Sequence, residues 1–148
     1  MNNPAPTRLA LSDLADRYDA LLIDAYGVLV DGSGPLPGAA AALTDLEARG
    51  KRWLVLTNDA SRHPDNSVKK YQSYGFPLRV EQIVTSGSLL MGHFAARGLV
   101  GFDTVVFGPE DSHRYAREAG GRIVEPGADA AVVVVGDDAG FPFLETVE

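Results

Sequence analysis

The chain has 148 residues, 45% of them hydrophobic and 22% charged, which is the size and make-up of one ordinary folded domain. Thirteen basic residues against 20 acidic ones leave a net charge of −7, which argues against a general binder of nucleic-acid backbones but not against a small phosphorylated ligand. There is no cysteine, so disulfides, thiolate zinc sites and cysteine nucleophiles are excluded.

No apolar run approaches the roughly 20 residues that span a bilayer. No secretory signal pattern is visible at the N-terminus, and a cytoplasmic protein without membrane partners is the expectation. Residues 1–12, with Pro4 and Pro6, read as a loose lead-in. The first firm element is Ala20-Leu21-Leu22-Ile23, a short apolar run that ends at Asp24. Such runs are expected for strands of a parallel sheet covered on both faces.

Gly27, Gly32, Gly34, Pro35 and Pro37 then break the chain. A helix is expected after Pro37, with Ala39, Ala42, Leu43 and Leu46 at helical spacing and Gly50 as its stop. Trp53 to Leu56 reads as a second strand, ending at Thr57-Asn58. Ser61 is an N-cap candidate for a helix from Pro64 to Tyr74, which Gly75 closes. Gln82 to Val84 reads as a strand, and Ser86 as the cap of a helix over Leu89 to Arg97, closed by Gly98. Thr104 to Phe107 is expected as strand, Glu110 to Ala119 as helix, Ala130 to Val135 as strand, and Pro142 to Glu148 as the start of a helix.

This alternation predicts an α/β protein, a Rossmann-like parallel sheet with helices on both faces. Sheets of this kind bind ligands beyond the carboxyl ends of their strands. Those ends carry Asp24, Thr57-Asn58, Thr85-Ser86 and Gly136-Asp137-Asp138. A carboxylate such as Asp24, held rigidly at a strand tip, can attack phosphorus or carbon, ligate a hard cation such as Mg²⁺, or merely cap the turn. Gly27 permits a sharp turn with its amide free to face an anion. The Thr57 hydroxyl and the Asn58 amide can hold phosphate oxygens by neutral hydrogen bonds. His63 lies close to this segment, but a surface role is the simpler reading. His93 and His113 show no ligand spacing.

Taken together, Leu21-Leu22-Ile23-Asp24-Ala25-Tyr26-Gly27-Val28-Leu29-Val30-Asp31-Gly32 and Leu54-Val55-Leu56-Thr57-Asn58-Asp59-Ala60-Ser61-Arg62 resemble the first and second motifs of the haloacid dehalogenase (HAD) superfamily. The short interval between them is that of the type IIA group, NagD-like and p-nitrophenyl-phosphatase-like, whose cap follows the second motif. Ile83-Val84-Thr85-Ser86-Gly87 and Val105-Val106-Phe107-Gly108-Pro109 are similar to stretches that follow in that group. The resemblance implies a core over residues 1–98 and part of a C2-type α/β cap over 99–148.

It also implies a Mg²⁺-dependent phosphatase of a small phosphorylated metabolite, working through an aspartyl-phosphate. Asp24 would be nucleophile and metal ligand, the Tyr26 backbone carbonyl a second ligand, and Gly27, Thr57 and Asn58 the phosphate-binding groups. Self-association into a homo-oligomer is left open.

Two departures qualify this reading. Tyr26 stands where the family usually has a second aspartate, the acid/base of phosphate hydrolysis. A catalytically impaired module that binds phosphate esters is therefore the alternative. A true haloacid dehalogenase also has Asp-x-Tyr-Gly, but its cap separates the two motifs, which the short interval here disfavours. No lysine follows Lys70, although the family's third motif supplies one. Asp137-Asp138 could complete a metal site as the fourth motif, or could end a strand of the cap in a chain that stops inside it; the second reading is preferred.

Overall fold

A computed structural model describes residues 9–137. Eight strands and five helices are defined within that range: α1 Leu11–Arg17, β1 Ala20–Asp24, β2 Val30–Asp31, β3 Gly34–Pro35, α2 Ala39–Ala48, β4 Arg52–Thr57, α3 Pro64–Ser73, β5 Ile83–Thr85, α4 Leu90–Arg97, β6 Asp103–Phe107, α5 Glu110–Glu118, β7 Arg122–Ile123 and β8 Val132–Val135. A 3-10 turn, Val80–Gln82, leads into β5, and another, Gly87–Leu89, leads into α4.

The α/β class is as expected. The first sheet runs β1-β4-β5 and is parallel throughout, with Leu22 beside Leu54, Ile23 beside Val55 and Asp24 beside Leu56. Thr57 pairs with Thr85 on the next strand. Asp24, Thr57 and Thr85 therefore finish their strands at one edge, because parallel strands share a carboxyl side. The second sheet runs β7-β6-β8, also parallel, with Phe107 beside Val135. A hairpin of β2 and β3 projects between β1 and α2 in the chain.

The main core lies on one face of the first sheet. Ile23, Trp53, Val55 and Ile83 pack there with Ala15, Leu43, Leu46, Val68 and Tyr71 from α1, α2 and α3. Burial of these side chains, worth about 1.5–3 kcal/mol for each Val, Leu or Ile when complete, is what holds the sheet and its three helices together. Phe94 of α4, Val105 and Val106 of β6, and Tyr115 and Ala116 of α5 are buried around the second sheet.

Three readings of the sequence change. The lead-in is shorter than expected, since Leu11–Arg17 is helical and places Ala15 in the core. Seven residues with one buried position give too short an apolar stripe to be recognised from periodicity. Secondly, strand cover is uneven. Leu22 is 67% exposed and Leu56 38%, so among the described residues one face of the first sheet lacks the apolar cover its composition calls for. Thirdly, the expected caps lie elsewhere. His63, not Ser61, occupies the N-cap position of α3, and Ser86 stands at the N-cap of the 3-10 turn Gly87–Leu89 but turns its hydroxyl to the Asn58 carbonyl at 2.8 Å instead of making a cap bond. The expected helix over Pro142 to Glu148 lies outside the described residues, as does Asp138.

Candidate active site

A cleft of about 800 Å³ opens at the carboxyl edge of the first sheet, lined by Asp24, Tyr26, Thr57, Asn58 and Asp59 among others. The β2–β3 hairpin forms one wall. Arg62, Lys70, Tyr71 and Tyr74 also line the cleft, as does Asp137, which follows β8. The structure thus brings Asp24, Tyr26, Thr57 and Asn58 together, as their places at neighbouring strand tips require.

Asp24 is exposed to this cleft, and one of its oxygens accepts the Ala25 N–H at 2.7 Å. That bond fixes the carboxylate while the second oxygen stays available. The chain then turns tightly: Leu29 and Val30 both donate to the Ala25 carbonyl, at 2.9 and 3.1 Å. Gly27 sits at φ +81°, a left-handed conformation that favours glycine. Its amide is not free, however. It donates to the Val30 carbonyl at 2.7 Å, so the expectation that it faces an anion is corrected: the turn itself consumes the donor. The bridge between Tyr26 and Val30 uses Ala25 and Gly27 as its partners and leaves the Tyr26 carbonyl outside it.

Tyr26 is 70% exposed, and its phenol extends toward Gly32 of the hairpin. No carboxylate is supplied from this position. The nearby Asp31 is occupied by the hairpin turn, accepting the Ser33 amide at 2.7 Å, and that bond holds its carboxyl below the usual range.

The loop after β4 is organised by Asp59, which the sequence reading did not single out. One Asp59 oxygen accepts the Ser61 amide at 2.8 Å, the Ser61 hydroxyl at 2.6 Å and the Arg62 amide at 3.2 Å, while the other pairs with the Arg62 guanidinium at 3.2 Å. The Asp59 amide in turn donates to the Thr57 hydroxyl oxygen at 3.2 Å. Asp-x-Ser after a strand is a recognisable side-chain turn signal, so this bracing was available to a closer reading. Tyr71 is buried under the cleft; burial first, with the carboxylates of Asp59 and Asp24 adding to it, raises its phenol above the usual range.

His63 is not a plain surface residue. Its side chain is 16% exposed, with Nδ1 3.0 Å from Asp65 and Nε2 3.1 Å from Glu118 of α5. Arg114 bonds the same two carboxylates at 2.9 Å each. Arg114 first and His63 second hold the Asp65 carboxyl down at about 2.

The donor set can be tested for a hard cation. The Asp24 carboxylate and the Tyr26 carbonyl are oxygen donors of the type Mg²⁺ takes, and that ion commonly needs only one or two carboxylates besides phosphate and water. No cluster of three or more Asp, Glu, His or Cys placed to hold a metal occurs among the described residues. Asp137 borders the same cleft and follows β8, a strand of the second sheet. β8 is not a strand of the sheet that carries Asp24, and Asp138 lies outside the described residues.

Comparison with known proteins agrees with this architecture. A family model described as haloacid dehalogenase-like hydrolase matches residues 21–122. Mouse (Mus musculus) chronophin is 32% identical over 151 residues, covering 94% of this chain and 50% of its own length. A crystal structure described as a possible sugar phosphatase of the HAD superfamily from Cytophaga hutchinsonii superposes with a TM-score of 0.82 at 26% identity, over 95% of this chain and 52% of that one. Glycerol phosphate phosphatase from Mycobacterium tuberculosis, crystallised with magnesium, gives 0.76 at 27% identity, over 90% of this chain and 41% of that one. The chain spans about half the length of the curated relatives it matches over most of its own length. No helix among the described residues is long and apolar enough to cross a membrane. With two strand-tip motifs in one cleft and a family match over more than half of its residues, the chain belongs to the haloacid dehalogenase-like hydrolases.

Proposed function

We propose that the chain carries the nucleophile and the phosphate-binding half of a Mg²⁺-dependent phosphohydrolase acting on a small phosphorylated metabolite. One observation supports this most: Asp24 and Thr57 end adjacent parallel strands, and both open, with Asn58, into one cleft. In this reading an Asp24 carboxylate oxygen attacks phosphorus in line. The bond from phosphorus to the ester oxygen breaks, that oxygen takes a proton from solvent and leaves as the alcohol, an aspartyl-phosphate forms, and water later releases phosphate from Asp24. Thr57 and the Asn58 backbone hold the non-reacting phosphoryl oxygens. Gly27 shapes the turn and donates nothing to the anion. Mg²⁺, held by Asp24 and the Tyr26 carbonyl, would neutralise phosphoryl charge. Residues 99–148 are assigned to the start of the cap.

The exposed Tyr26 favours a second reading, in which the pocket binds phosphate esters with little turnover. A phenol directed at the hairpin cannot pass a proton to the leaving oxygen as a carboxylic acid would, and a positioned acid/base is worth about 10²–10⁴-fold. The deciding experiment compares wild type and Asp24→Asn on a panel of phosphomonoesters with Mg²⁺. Turnover lost in the variant supports the hydrolase. Equal turnover by both proteins removes Asp24 as nucleophile. Saturable ester binding without turnover in wild type supports the binding module.

A further inference from the structure

Helix α5 belongs to the second sheet, yet it touches the loop after β4 at several points. Its Ser112 hydroxyl donates to the Ala60 carbonyl at 3.0 Å. Its Asp111 accepts the His63 amide at 2.8 Å and the Asn66 side chain at 2.8 Å. The central contact is Tyr115, a side chain only 4% exposed. Its oxygen lies 2.8 Å from the Arg62 carbonyl and 2.5 Å from the Thr85 hydroxyl.

The proton count fixes the direction of both bonds. A carbonyl only accepts, so the single phenolic proton goes to Arg62. The Thr85 hydroxyl must then donate to the phenol oxygen. The Thr85 oxygen also receives the Ser88 amide at 3.2 Å, so the group is fully engaged. Thr85 is the register partner of Thr57. Arg62 closes the far end of the loop that begins at Thr57 and is braced by Asp59. One hydroxyl thus ties the far end of the segment that carries Thr57 and Asn58 to β5, the strand that pairs with its near end.

We propose that Tyr115 is the positioning residue of the phosphate-binding loop, its hydroxyl stapling Thr85 to the Arg62 carbonyl so that phosphate affinity depends on that staple. The inference rests on the assignment of Thr57 and Asn58 to phosphate binding. It adds that the second sheet sets their geometry without touching the ligand.

Tyr115→Phe is the direct test, because it keeps the ring and removes only the oxygen. Amide hydrogen exchange is read first, without ligand. The variant is expected to exchange faster across residues 57–63, while β6 is unchanged. Inorganic phosphate, with Mg²⁺ present, is then titrated into both proteins at a temperature well below unfolding. Binding about threefold to tenfold weaker is expected, the worth of one net hydrogen bond. Asn66→Ala serves as a second variant, removing an α3–α5 bond outside the staple, and is expected to leave phosphate affinity unchanged. Unchanged exchange in Tyr115→Phe overturns the staple whether or not phosphate binds. Faster exchange with unaltered phosphate affinity, or equal weakening by Asn66→Ala, overturns the positioning role. If wild type and Thr57→Val bind phosphate equally, the assignment of the pocket fails instead, and the positioning role with it, while the exchange result still reports on the staple.

Discussion

The ring of Tyr115 occupies the space a side chain at residue 87 would need: a Cβ placed on Gly87 would have three ring atoms within 2.8 Å. The close approach lets β5 pass directly into the turn Gly87–Leu89 with the phenol beneath it. Gly87→Ala is therefore expected to destabilise through overpacking, by about 1–3 kcal/mol. In a Tyr115→Leu background the same substitution should cost less, because the atoms it meets are gone and neighbouring changes are not additive. Urea unfolding of the four proteins measures the coupling. Equal costs in both backgrounds would show that the ring is not the obstacle.

Tyr26 is the first of the two departures from the family pattern. It stands two residues after Asp24, exposed at the cleft. Tyr26→Asp places a carboxyl on the same backbone and is expected to raise any phosphomonoesterase rate by about 10²-fold or more, provided that the remaining machinery is present. A steady-state assay with Mg²⁺ checks it, with the Asp24→Asn/Tyr26→Asp double variant as control. A gain that survives loss of Asp24 would refute the assigned roles.

Much of this architecture was legible along the chain. Gly50, Gly75 and Gly98 stand at φ +64°, +83° and +66° just past helices α2, α3 and α4, as their place after apolar periodic stretches indicated. Asp24 and Thr57 converge because parallel strands align their ends, so two short apolar runs sufficed to place them. Other contacts leave no local trace. Tyr115 reaches Arg62 across 53 residues and Thr85 across 30, and nothing in the periodicity of α5 reports those partners. The Gly27 amide was misread for a related reason. A glycine signals a permitted backbone shape, but which acceptor its N–H meets depends on where Val30 returns.

The clasp of Asp65 with Arg114 and His63 carries a definite pH dependence. Asp65 is held at about 2 against an ordinary 3.8, a lowered value. A depressed carboxylate stabilises the fold at pH above the unfolded value, and that contribution is lost as pH falls through the folded one. The loss should therefore fall between about pH 4 and pH 2. The Asp65 side chain is 37% exposed, so solvent screening keeps the effect modest. Asp65→Asn is expected to lower stability modestly near neutrality, where the contribution is present, and to converge with wild type as pH falls toward 2, which flattens the acid limb. Denaturation midpoints from pH 2 to 7 test it, and identical acid limbs would remove Asp65 as a contributor.

The described residues leave one face of the first sheet uncovered. Leu22, Leu56, Val84 and Leu89 line a single hollow of about 470 Å³ beside Asp24, with Leu22 and Leu89 67% and 63% exposed. Isolated surface leucines are ordinary, but a contiguous apolar hollow on a sheet face is a docking liability. The 148-residue chain on its own is therefore expected to self-associate with rising concentration, despite a net charge of −7 that opposes close approach. Leu22→Gln with Leu56→Gln should shift it toward monomer, because both side chains face outward and their replacement leaves Ile23 and Val55 in the core. Raised ionic strength should promote association of wild type by screening the repulsion between like-charged copies. Sedimentation velocity across a concentration series reads both effects. A wild-type chain that stays monomeric at high concentration and high salt would show that this face is not sticky enough to pair.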